Sequence, residues 1–419
     1  MAKGFPIFKG MNIDPIILSI PLYFTLIAIE LMIQLVRKRQ IYRLNDAMTN
    51  ISCGITQQIT GAFIKVAMVG VYQMAFEYLA VFHLPNSWWY WLLLILGVDF
   101  CYYWGHRMSH EVNLFWGGHV VHHQSEDYNF SVALRQGSFQ ALWTFWFYLP
   151  LAILGFNTLD FLLVSALNTV YQFWIHTETI GKLPKPIEWI FNTPSHHRVH
   201  HGKNPKYIDK NHAGSLIIWD RIFGTFQEEE ERPTYGITKP INTWNPIRAN
   251  LQHYLDMARQ LRETPGFFNK LKVTFYKPGW RPEILGGPIQ VEEPNSDTYQ
   301  KFNANTWRHL QVYLFFQFIA ILGITSIFLF TRDQMNIVQQ LTFGGFIIWS
   351  VAQFGVLLEQ SKWQALEYLR LVACGILVYA ISPSPYFFIP TIVLSIGSLV
   401  AFYLISRAPA PTIKQSIPH

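Results

Sequence analysis

Charge is scarce in this 419-residue chain: Asp, Glu, Lys and Arg together make up 14%, against about a quarter in ordinary soluble domains. Hydrophobic residues make up 51% and come in long blocks. That balance excludes a string of soluble domains and points to an integral-membrane protein. Cysteine is also sparse. Cys53, Cys101 and Cys374 are scattered, mostly within apolar stretches, and form no CxxC pair. A disulfide framework and zinc–thiolate chemistry are both excluded. The net charge is +6, but Arg37-Lys38-Arg39 is the only sizeable basic run, and it directly follows an apolar stretch. The charge therefore speaks to topology and anionic headgroups, not to nucleic acid. No small-residue cleavage site follows the apolar residues 15–36, so that stretch reads as an anchor rather than a signal peptide.

Apolar blocks predict spans at roughly 15–36, 55–82, 87–105, 139–156, 158–175, 309–331, 337–358, 366–382 and 385–406. The two at 139–175 are short enough for a re-entrant hairpin. Between 176 and 306 nothing is apolar enough to cross a bilayer. The chain accordingly divides into N-terminal spans (1–86), a core carrying the polar chemistry (87–240), a linker region (241–306) and C-terminal spans (307–419). Arg37, Lys38, Arg39 and Arg43 place the end of the first span in the cytoplasm. Alternating from there brings the ends of the third span and of the 139–175 hairpin to the same side. The expected fold is all-α: a multi-span helical bundle with a histidine-rich helical cap on the cytoplasmic face.

Histidine is where the chain is rich. Nine of its fifteen histidines lie in two windows, Gly105–Gln124 and PSHHRVHHGK (194–203). His106 and His110 are four apart. His119 precedes His122 and His123 by three and four residues, and His197 stands in the same relation to His200 and His201. Each set falls on one helical face, so its imidazoles can converge. Eight such ligands exceed one ion's needs and suit two. Imidazole-rich coordination fits iron, copper, zinc or nickel, and a redox-active pair beside a bilayer suggests oxygen chemistry on a lipid chain. His176, emerging from a span on the same side, is a ninth candidate, and His212 in KNHAG a further one. His196, adjacent to a ligand, points elsewhere and reads as support. His83, His253, His309 and His419 read as ordinary histidines.

Glu126 and Asp127, just beyond His123, are candidates to accept hydrogen bonds from ligand imidazoles. Glu111 could orient a ligand or bind a cofactor ring. Asp99, near the end of a span, needs a partner; Arg135 could meet Asp99, Asp127 or a lipid headgroup. Tyr102, Tyr103, Trp104 and Trp116 read as an interfacial aromatic belt.

The set H-x3-H, H-x2-H-H, H-x2-H-H resembles the signature of the fatty acid hydroxylase and sterol desaturase superfamily of membrane di-iron enzymes. The stretches GVDFCYYWGHRMSHEVNLFWGGHVVHHQSEDYNFSVALRQ, YQFWIHTE, NTPSHHRVHHGKN, IIWDRIFGTF, INTWNP and TPGFFNK are similar to its ether-cleaving branch. The resemblance covers about 45–280. It implies that His106, His110, His119, His122, His123, His197, His200 and His201 bind two irons. It also implies that oxygen and tetrahydrobiopterin are used to cleave the ether bond of alkylglycerols, with Glu111 a candidate for the pterin. The membrane would be the endoplasmic reticulum in a eukaryote, or the inner membrane in a bacterium. A sterol desaturase or fatty acid hydroxylase on the same metal core is the alternative, although no H-P-G-G motif marks a fused haem domain. A histidine-rich metal transporter is a more distant one: transporters often carry internal repeats and midplane ligands, and neither is visible.

Overall fold

The computed structural model describes residues 15–294, 298–304, 306–359, 365–381 and 385–407. His419 and the first fourteen residues lie outside them. Helices account for all the regular structure among these residues, apart from one isolated bridge between Gly202 and Tyr235. Two compact units emerge. One comprises residues up to 241 and 247–301; the other comprises 242–246 and the residues from 302 onward.

The first unit opens with α1 (Pro15–Arg37) and α2 (Leu44–Leu79). Both are long and apolar enough to cross a membrane. At about 1.5 Å per residue, the 36 residues of α2 reach about 54 Å, well beyond a hydrocarbon core of about 30 Å. Its first half explains the surplus, because Asp46, Asn50, Ser52 and Thr56 there are buried and polar. Asn50 donates to Asp46 and to Ser131, and Ser125 donates to Asp46. Hydropathy registers only the second half, which is why the sequence places this span eleven residues too late.

α3 (Trp88–Glu111) begins apolar and ends in His106 and His110. Asp99 is its polar anchor, accepting from the Ser215 and Leu216 amides, the Asn168 side chain and the Trp219 indole. The intramembrane carboxylate thus has its partners, and Arg135 is not among them. Val112, in extended backbone, breaks the helix before α4 (Asn113–His123). Gly117 lets α4 approach its neighbour: a Cβ there would lie 2.5 Å from the Tyr254 ring.

The predicted span 139–156 is instead three short helical segments, α-helical at Gln140–Thr144, 3-10 at Phe145–Tyr148 and α-helical again at Leu149–Ile153. The next helix, α5 (Thr158–Phe173), has sixteen residues, about 24 Å and short of a full crossing. Beyond it lie α6 (Pro194–His200), opened by a proline at its first position, and the amphipathic α7 (Pro246–Glu263).

The second unit is built on α8 (Arg308–Thr331), α9 (Ile337–Leu358), α10 (Ala365–Ile381) and α11 (Pro385–Arg407). Asn336 caps α9 reciprocally with Gln339. Among these apolar helices Arg370 is buried, paired bidentately with Glu367 (2.6 and 2.9 Å). Tyr313 donates to Glu367, Arg370 donates to Gln317, and Gln317 donates to Ser398. Three helices therefore converge on one charge pair.

Candidate metal centre

α3, α4 and α6 deliver their histidines into one buried place. His106, His110, His119, His123 and His200 form a first group; His122, His176, His197 and His201 form a second. Within each group one ligand atom per residue lies within 4.8 Å of all the others. His106 and His110 stay together in the first group, while the other two spacing sets split: His119 and His123 go to one group and His122 to the other, as their angular offset on a helix requires. His200 and His201 divide likewise.

The hydrogen bonds reveal which ring nitrogen faces inward. Nδ1 of His106, His122, His176 and His200 bonds to the carbonyls of His212, Arg135, Gln172 and Lys210 respectively, at 2.7–2.9 Å. A carbonyl can only accept, so these nitrogens carry the hydrogen and leave Nε2 as a bare lone pair. Those lone pairs then meet other imidazole nitrogens. His106 Nε2 is 2.9 Å from His119 Nε2, and His176 Nε2 is 3.2 Å from His122 Nε2 and 3.0 Å from His197 Nε2. The Nε2 atoms of His110 and His200 are buried without a partner. Crowded acceptors of this kind repel one another unless a cation lies among them. The donor set therefore fits two metal ions.

Burial keeps these imidazoles neutral, as ligation demands. It pushes His122 down to about 4, with the Arg135 guanidinium acting in the same direction. His123, His197, His200 and His201 are lowered well below their ordinary value by burial first and by neighbouring imidazoles second.

The segment Asp209-Lys210-Asn211-His212-Ala213 shapes the first group. Asp209 and Asn211 have φ of 56° and 55°, the left-handed region that these side chains tolerate better than most. Between and after them, the carbonyls of Lys210 and His212 turn onto His200 and His106. Asn211 itself clasps the His196 and Gln227 carbonyls, and Asp220 accepts the amides of His212 and Ala213 at 2.8 Å.

Other sequence candidates fall around this centre. His196 is buried against Phe226 and lies 3.8 Å from Glu188, outside both groups. Glu111 pairs with Arg107 at 3.1 Å. Glu126 accepts from Tyr299, and Asp127 is held by Arg43 at 2.7 Å and Lys301 at 2.6 Å. Arg135 donates to the Val121 carbonyl, Asn50 and Gln124, reaching neither Asp99 nor Asp127. The aromatic belt is corrected in part. Trp116 stands 4.9 Å from His110 and 5.4 Å from His123, and buried Tyr103 hydrogen-bonds Thr225. Both serve the polar core, because their indole and phenol faces line it. Sequence reasoning missed Tyr128, whose ring stacks on Tyr235 at 4.8 Å and lies 5.2 Å from His201. His83 and His309 are exposed, and His253 bonds the Asn113 carbonyl.

An apolar cavity of about 520 Å³, lined by Gly97, Cys101 and Trp104 of α3 with Phe147 and Leu151, does not belong to this centre. His106 is nine residues from Gly97, about two and a half turns, and so projects from the opposite face of α3.

A buried pair of all-imidazole clusters, in a chain with four helices long and apolar enough to cross a membrane among the described residues, is the arrangement of a membrane hydroxylase or monooxygenase. Residues 91–225 match the fatty acid hydroxylase family. The chain is 41% identical over 355 residues to the alkylglycerol monooxygenase of Homo sapiens, spanning 84% of this chain and 79% of that protein. It is 38% identical over 360 residues to that of Xenopus tropicalis, spanning 85% and 80%. An ornithine lipid hydroxylase of Rhizobium tropici is 29% identical over 266 residues, spanning 58% and 70%. No solved structure matches. The chain belongs to the alkylglycerol monooxygenase family, within the fatty acid hydroxylases.

Proposed function

We propose that this protein is a multi-pass membrane di-iron monooxygenase that cleaves the O-alkyl ether bond of alkylglycerols. The observation that carries this reading is the convergence of nine neutral imidazoles, Nε2 inward, into two adjoining groups. The relatives named above supply the ether-lipid substrate.

An ether resists hydrolysis, so acid–base attack is a poor route, whereas its α-carbon has a weakened C–H bond. Two irons held by His106, His110, His119, His123 and His200 on one side, and by His122, His176, His197 and His201 on the other, would supply oxidising power from O2 and a two-electron reductant. The net change replaces one hydrogen on the carbon beside the ether oxygen with hydroxyl, and the second oxygen atom leaves as water. The resulting hemiacetal loses its C–O bond to the glycerol oxygen, giving a fatty aldehyde and a free glycerol hydroxyl.

This chain's own part is to hold, orient and exclude. The carbonyls of His212, Arg135, Gln172 and Lys210 fix ring tautomers, and burial keeps water away. The reductant proposed is tetrahydrobiopterin, for which Glu111, partly exposed beside His110, is the candidate contact. Glu126 and Asp127 are proposed to brace the segment that follows His123. Arg37, Lys38, Arg39 and Arg43 favour a cytoplasmic metal centre, on the endoplasmic reticulum or a bacterial inner membrane.

The test uses purified protein in detergent: metal content, then aldehyde release from an alkylglycerol with oxygen, with and without tetrahydrobiopterin. Two irons per chain with pterin-dependent aldehyde is the expected result. Two irons without aldehyde would redirect the search to sterols or fatty acids, and an intact hydroxylated ether would overturn the hemiacetal step.

A further inference from the structure

The His212 imidazole is fully buried, and neither of its ring nitrogens has a hydrogen-bond partner. The Asp209 backbone lies near enough to act on it electrostatically, but makes no hydrogen bond of ordinary geometry to it. A buried polar atom left unmatched costs about 1–3 kcal/mol, and here one ring has two. Such a residue requires an explanation.

Its surroundings offer one. The His212 ring stands 5.0 Å from His110, 5.7 Å from His200 and 5.8 Å from His106. His119, a member of the first group, stands 4.6 Å from His106, 4.9 Å from His123, 5.0 Å from His110 and 6.4 Å from His200. His212 thus stands at the edge of the first group, its ring 5.0–5.8 Å from three of the five members, although outside the set whose ligand atoms all lie within 4.8 Å of one another. Its backbone is committed there too, since its carbonyl holds His106 and its amide is fixed by Asp220. A merely structural histidine would be expected to use its ring for one of these bonds; this one uses only its main chain and leaves both ring nitrogens bare.

We propose that His212 is the tenth imidazole of the metal centre, a ligand of the ion held by His106, His110, His119, His123 and His200. The proposal rests on the reading that metal occupies the histidine groups. Its consequence is asymmetry: six imidazoles close the first site, while four at the second leave positions open for exchangeable ligands. Structural sites are closed and reactive sites keep an open position. The second group, His122, His176, His197 and His201, is therefore the side on which substrate and oxygen meet.

The experiment compares wild type with His212→Ala and with His212→Phe, which retains the ring volume without nitrogen. Protein is loaded with 57Fe, and iron content, Mössbauer spectra and the rate of iron loss to a chelator are measured. Wild type should hold two irons in inequivalent environments; no iron in wild type would overturn the underlying reading instead. In His212→Phe one spectral component should shift, and its iron should leave at least about tenfold faster, the least that loss of even an outer-shell partner typically costs. Spectra and release rates equal to wild type in a folded His212→Phe protein would refute the proposal. If His212→Ala fails to fold, the phenylalanine variant decides alone.

Discussion

His123 and His201 lie face to face, their ring centroids 4.4 Å apart and their planes 24° from parallel, although they belong to different histidine groups. The two groups share a wall. Removing either ring should therefore be felt on both sides: His201→Ala should lower iron below one per chain. His196→Ala, five residues earlier and outside both groups, should keep two. Elemental analysis of the purified variants checks the contrast, and equal iron in both would sink it.

Acid should weaken the fold before it charges the core. An unfolded imidazole takes its proton near 6.5, while buried His122 waits until about 4. Between those values the unfolded chain holds protons that the folded one refuses. Stability is thus full above about 6.5 and lost as pH falls toward about 4, by up to roughly 1.4 kcal/mol per pH unit for each such histidine. Thermal midpoints of the metal-free protein at pH 7.5, 6.5 and 5.5 should fall steeply; a flat series would contradict the neutral core.

Asp99 ties α3 to Asn168 of α5 and to the segment 215–219 through four donors. Asp99→Ala leaves two amides, an indole and a carboxamide unmatched, a loss on the order of 3 kcal/mol or more. Denaturant unfolding should show it, and Asp99→Asn, which retains one acceptor oxygen, should lose less.

In the second unit, Glu367→Gln strips the counter-charge from buried Arg370 and should cost about 3–5 kcal/mol. Tyr313→Phe removes a single bond to the same carboxylate and should cost about 1–3 kcal/mol. A Glu367→Gln protein as stable as wild type would show the pair to be dispensable.

Glu111→Gln tests the pterin proposal. The expected outcome is a raised KM for tetrahydrobiopterin, with iron content and the KM for alkylglycerol unchanged. Parallel rises in both KM values would instead assign Glu111 a general role in shaping the site.

Much of this was legible in the chain because its signal is periodic. Histidines at three and four residue spacings fold onto one helical face wherever the helix sits, so the eight motif histidines converge as their order demands. Less was legible where the backbone does the work. The acceptors that set the tautomers are carbonyls, which carry no sequence mark; Glu126 and Asp127, the carboxylates nearest in sequence, are instead engaged by Tyr299, Lys301 and Arg43. His212 stood among the candidates without a periodic signal behind it, for a related reason. It is placed beside the first group by two left-handed residues, Asp209 and Asn211, rather than by a helical repeat. Hydropathy failed at α2 because its polar half is buried in protein, and at 139–156 because apolar content does not ensure one unbroken helix.

Glu30 has a history written into its contacts. On α1 it accepts from Tyr42, twelve residues on, but also from the Phe130 amide and the Thr177 hydroxyl, 100 and 147 residues on. A ribosome makes α1 before the segments that carry two of its three partners, so this acidic side chain meets the bilayer without them, at an insertion penalty of roughly 2.5–3.5 kcal/mol for a charged group. Only when the chain around Thr177 has been synthesised can the latch close. α1 can thus be locked fully only after the segment beside His176 is in place.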